Sequence, residues 1–126
     1  MVIGRGEPSL PEPALFDHER LDAYQLTLEC LALVLPALEA IPPGHGKLID
    51  QLRRAATSVP LNIAEGSGKP TGPDRRRYYA IARGSAMECA AILDVFRLLR
   101  LLDDQIVDQA KAGLQRVVAM LSKLCR

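Results

Sequence analysis

The sequence predicts an all-α protein, specifically an antiparallel up-down four-helix bundle, and three observations carry that reading. Apolar residues recur at spacings of three and four through most of the chain, and strand-like alternation is absent. The breaks in the rhythm are short and rich in proline, glycine or aspartate, so successive helices must lie side by side and run in opposite directions. With 126 residues, 48% hydrophobic and 4% aromatic, the chain has the length of one domain and the composition of a Leu- and Ala-rich core.

Residues 1–16 hold Gly4, Gly6, Pro8, Pro11 and Pro13 without lasting periodicity, and read as an arm outside a bundle formed by residues 17–126. The first helix is expected over residues 17–41, where Leu21, Tyr24, Leu28, Leu31, Leu35 and Leu38 share one side. Leu26, Leu33, Val34 and Ala37 widen that stripe beyond what one neighbour covers, and Pro36 should kink the helix. After Pro42-Pro43-Gly44, a second helix over residues 46–65 turns Leu48, Leu52, Ala55, Ala56, Val59 and Ile63 inward. Pro60 should bend or divide it near Ser58. The third helix, over residues 74–102, places Ile81, Ser85, Cys89, Ile92, Phe96 and Leu99 on one face. Asp103 or Asp104 caps the fourth, whose inner side is Val107, Ala110, Leu114, Val117, Leu121 and Leu124.

Several function classes lack their apparatus. Glu29, Pro36 and Glu39 interrupt the most apolar stretch, residues 26–41, so no membrane span is expected. Residues 1–13 lack the apolar centre of a signal peptide, which makes the cytoplasm the expected compartment. Cys30, Cys89 and Cys125 are odd in number, far apart and set in apolar surroundings, as buried free thiols are. His18 and His45 have no second ligand one turn away, so neither a metal nor another cofactor is expected. Gly66-Ser67-Gly68-Lys69 resembles the end of a phosphate-binding loop, but Ile63 and Pro70 stand where that loop needs glycine and Ser or Thr. Ser58, Ser67 and Ser85 have no histidine at a matching height to act as base, and no catalytic residue is assigned.

Polar residues on otherwise apolar faces are more informative. A hairpin centred near Pro70 and Thr71 sets Arg54 level with Glu88, Ser58 with Gly84 and Ser85, and Glu65 with Arg75, Arg76 and Arg77. Glu88 shares a stripe with Ile81, Ser85 and Ile92, so partial burial and a partner in Arg54 or Arg53 are expected. Gly84 would admit the bent backbone at Pro60, and Ser85 or Asn62 would satisfy the carbonyl that the proline releases. The network of Arg54, Ser58, Asn62, Glu65, Ser85 and Glu88 reads first as structural and second as part of a partner site.

These residues also carry a resemblance. The run Arg53-Arg54-Ala55-Ala56-Thr57-Ser58-Val59-Pro60-Leu61-Asn62-Ile63-Ala64-Glu65-Gly66-Ser67-Gly68, with Ile81-Ala82-Arg83-Gly84-Ser85-Ala86-Met87-Glu88, resembles the signature of the four-helix-bundle proteins named for the intervening sequences of 23S ribosomal RNA genes. Leu21 through Gln25 resembles that family's first-helix pattern, and the likeness covers residues 18–124. The resemblance implies a bacterial, non-enzymatic bundle assembling as a ring-like homopentamer. A related branch, the accessory proteins of diversity-generating retroelements, is basic and binds nucleic acid. This chain departs from that branch in its near-neutral charge, and from the family pattern at Pro36, Arg75 and Ala90.

The net charge of +1 conceals a separation. Residues 17–41 carry −4, from Asp17, Glu19, Asp22, Glu29 and Glu39 against Arg20, whereas residues 44–83 carry +5. Two expectations follow. The first is an interaction protein whose partner is itself, with the acidic first helix facing the basic middle segment of the next subunit. The alternative is nucleic-acid binding through Arg53, Lys69, Arg75, Arg76, Arg77 and Arg83.

Overall fold

A computed structural model describes residues 15–126, so most of the expected arm lies outside the described residues. A 3-10 turn, Asp17–Arg20, leads into α1, Asp22–Ala37. Pro36 falls in the last turn of α1, so the expected kink takes the form of an ending: the chain tightens into a second 3-10 turn, Leu38–Ala40. Helix α2, Gly46–Ser67, runs unbroken through the buried Pro60, contrary to the expected division at Ser58. Packing on both flanks holds the helix together across the one missing donor.

Helix α3, Gly72–Leu98, starts earlier and stops earlier than its periodicity indicated. At its start the Thr71 hydroxyl accepts the Asp74 N–H at 3.3 Å, and Pro73 occupies the first turn. At its end Arg100 adopts φ 56°, Leu101 N–H reaches back to the Phe96 carbonyl at 2.9 Å, and Arg100 N–H to the Arg97 carbonyl at 3.0 Å. That is a Schellman stop built without glycine, which is why the sequence does not announce it. Helix α4, Asp104–Leu124, begins as expected, with the Asp103 carboxylate accepting the Gln105 N–H at 3.2 Å.

The helices pack in sequence order, and α1 closes the bundle against α4, so α1 and α3 stand on a diagonal. Leu38, Leu52, Val59, Ile63, Leu93, Phe96, Val107, Val117 and Leu121 fill the centre. The inner face of α1 is rotated from the expected one. Ala23, Thr27, Cys30, Leu31, Val34 and Leu38 point inward, while Leu28 is exposed. The Thr27 hydroxyl is satisfied within its own helix by the Ala23 carbonyl at 2.6 Å. By length and composition Asp22–Ala40 is apolar enough to cross a membrane, although Asp22, Glu29 and Glu39 lie within it. Here its inner side forms one wall of the bundle, a use that passes the same compositional test.

Two seams are too close for a side chain. A Cβ at Gly113 on α4 would overlap the Cys30 sulfur of α1, and one at Gly66 on α2 would lie 3.0 Å from Tyr78 Cβ and the Tyr79 ring of α3.

Candidate functional site

Three surface regions gather the residues singled out by sequence, and they behave differently. In the crease between α2 and α3, the Ser58 and Ser85 hydroxyls meet at 2.8 Å. The Asn62 side-chain amide donates to the Ser58 carbonyl at 2.8 Å and to its hydroxyl at 2.9 Å. These three residues form a closed, half-buried network that ties the two helices together.

The remaining members of the expected network are elsewhere. Glu88 is exposed and accepts from Gln51 Nε2 at 3.4 Å; it does not meet Arg54 or Arg53. It precedes the buried Cys89, one step round the helix from the core, so water solvates it and no counter-ion is required. Arg54 is also exposed, with no partner among the described residues. Glu65 pairs with Lys69 at 3.1 Å, one turn along its own helix, rather than with Arg75, Arg76 or Arg77. Asn62 serves Ser58 and not the Ala56 carbonyl, which is the one that Pro60 leaves without a helical donor. Nor does Gly84 receive the α2 backbone, since a Cβ there would meet nothing within 4 Å.

The cations do not form one surface. Lys69, Arg75, Arg76 and Arg77 cluster where α2 ends and α3 begins, with Arg75 Nη1 donating to the Lys69 carbonyl at 2.9 Å. Tyr78, which is not among the residues expected from sequence, joins two of them: the Lys69 ammonium lies 5.1 Å from its ring centroid and the Arg77 guanidinium carbon 4.6 Å. An aromatic directly after a run of arginines was the available signal. The hydrogen bond from Lys69 to Glu65 raises the lysine pKa and keeps the ammonium charged. Arg53 stands apart, 3.6 Å from Glu39, and Arg83 donates to the Ser122 hydroxyl at 2.6 Å on the α3–α4 side.

The third region is the outer face of α3. Ile81, Met87, Val95 and Leu98 are 43%, 49%, 40% and 82% exposed, on the same side as Gly84 and Ala91. Sequence periodicity had turned Ile81 and Leu99 inward, yet both are exposed. Beside this face a shallow groove of about 680 Å³ runs between α3 and α4. Ala90, Ala112 and Val118 are part of its lining, and the ion pairs Asp94–Lys111 and Arg97–Asp108 stand at its margin.

Burial pushes the Cys89 thiol up to about 12, and the Cys30 thiol is raised for the same reason. Both are therefore poor nucleophiles near neutral pH. Among the described residues, no three His, Cys, Asp or Glu side chains are grouped to hold a metal ion.

A search of curated proteins gave no match. The model of the family described as 23S rRNA-intervening sequence protein matches residues 19–123, from the acidic turn before α1 almost to the end of α4. Those residues supply every wall of the bundle and both sides of the Ser58–Asn62–Ser85 crease, and by that match the chain belongs to the 23S rRNA-intervening sequence protein family.

Proposed function

We propose that this protein is a non-enzymatic, self-associating bundle that acts through its assembled form, a homo-oligomer for which the family resemblance implies five subunits. The observation that carries the reading is the outer face of α3. Four large apolar side chains there are 40–82% exposed on one helix, a concentration that marks an interaction surface more than scattered surface leucines do. The hydroxyl and amide groups of the crease satisfy one another, which favours a structural role for them over a catalytic one. Size exclusion coupled to light scattering at micromolar concentration tests the reading. Assembly well above the 13.8 kDa protomer supports it, and a monomer at that concentration overturns it.

The Lys69–Tyr78–Arg77 arrangement favours a second reading, nucleic-acid binding at the α2–α3 end. It combines cations for phosphates with an aromatic ring on which a base can stack. On that reading affinity falls steeply with salt, and replacing Arg75, Arg76 and Arg77 together by Gln lowers the slope of log K against log salt by roughly 2–3. Binding that does not respond to salt, or none at low ionic strength, rules it out.

A further inference from the structure

The outer face of α3 has a feature that the protomer leaves unexplained. Gly84 sits in the middle of a 27-residue helix, where glycine is a poor helix former, and nothing lies within 4 Å of the position its Cβ would take. Gly113 and Gly66 have internal reasons for lacking a side chain; Gly84 has none. Missing bulk in an exposed apolar strip is what a close helix crossing needs.

Resting on the self-association reading, we infer that Gly84 marks where α1 of a second copy of this chain crosses α3, with Leu28 and Ala32 of that copy seated on the strip around Ile81, Gly84 and Val95. Three observations select α1 as the occupant. Its outer side is the other apolar one: Leu28, Ala32 and Pro36 are exposed, with Gln25 and Glu29 beside them. The outward positions of α2 are mostly polar, among them Lys47, Asp50, Arg54, Thr57 and Glu65, and those of α4 include Asp104, Asp108, Gln115, Arg116 and Lys123. Helices α1 and α3 lie on a diagonal, so their outer sides face away from each other and can meet only between copies.

Charge sets the direction. In an up-down bundle α1 and α3 run the same way. Copies related by a rotation about the bundle direction keep α1 parallel to the α3 it crosses. That brings Asp17, Glu19 and Asp22 to the end of the contact where Arg76 and Arg77 stand. Among the described residues none of Asp17, Asp22, Arg76 and Arg77 has an ion-pair partner within the protomer. Glu88 lies on the same line of α3 between Ile81 and Val95, and its carboxylate accepts from Gln51 Nε2 of α2 at 3.4 Å.

The test uses the full chain and two measurements. Gly84→Leu leaves the protomer helical by circular dichroism, because its site is open, and weakens association by about ten- to a hundredfold in light scattering against concentration. In a Cys125→Ser background, a short bis-maleimide links subunits of the Ala32→Cys, Gly84→Cys double variant into a ladder, while neither single variant is linked. A monomeric wild type overturns the self-association reading and this crossing with it. An assembled wild type overturns the crossing alone in either of two cases: Gly84→Leu associates as tightly, or Gly84→Cys is linked without Ala32→Cys, which would mean that α3 meets α3.

Discussion

Gly113 and Gly84 both sit well inside long helices, and the difference between them separates the interior of this bundle from its outer face. A side chain at Gly113 would collide with the Cys30 sulfur across the α1–α4 seam, whereas one at Gly84 would meet nothing. The first glycine is explained by the protomer. The second is not, and what it teaches is that a residue out of keeping with its helix needs a neighbour, inside the molecule or beyond it.

Among single substitutions, the largest expected effect belongs to the inner seam. Gly113→Ala should lower the unfolding free energy by about 3 kcal/mol in urea titrations, the upper part of the range for overpacking a tight core. Adding Cys30→Ala should recover most of that loss, and a pair of mutations that merely add would refute the contact. Next comes pH, through the thiols of the same interior. Cys89 keeps its proton in the folded state up to about 12, whereas an unfolded thiol ionises near 9.0. The unfolded chain therefore binds fewer protons above pH 9.0, and its stability advantage grows as pH rises. Folding stability should fall by roughly 1.4 kcal/mol per pH unit between those limits, and Cys89→Ala should flatten the dependence.

Gly66→Ala should cost about 1–2 kcal/mol, because Tyr78 and Tyr79 leave its Cβ only 3.0 Å and can yield a little. Thermal unfolding of this variant with and without Tyr79→Leu would show whether the ring sets the limit. Smallest, and opposite in sign, is Gly84→Ala. In the dissociated protomer it should stabilise α3 by up to about 1 kcal/mol, since it gains helix propensity and meets no obstacle. A loss there would erase the distinction between the two glycines.

The four helices and their order were legible in the sequence, and so was an aspartate cap on α4 at Asp103 or Asp104, of which Asp103 is the one used, because apolar spacing and capping chemistry are local. Which side of α1 faces inward was not. Leu28 and Leu31 both fit a three-four stripe, and with apolar residues nearly all round, periodicity cannot choose between Leu28 outside and Thr27 inside. In the crease, counting outward from the α2–α3 turn brought Ser58 to Ser85 correctly. The same count set Arg54 level with Glu88 but carried no information on helix rotation, which turns Glu88 to water. Arg100 hid the end of α3, because its left-handed backbone has no glycine to signal it.

Because α1 and α3 stand on a diagonal, the two apolar sides of the protomer are unlike and point apart, and a contact between unlike sides repeats until rotation brings it back to its start. The number of subunits would then follow from the angle between those sides rather than from the strength with which they hold. That angle is set inside the protomer, above all where α1 meets α2, the least extensive of the seams between neighbouring helices. A substitution there, on the inner side of α1 rather than on the side that meets another copy, would change how many subunits close the circle, or leave it open as a fibre.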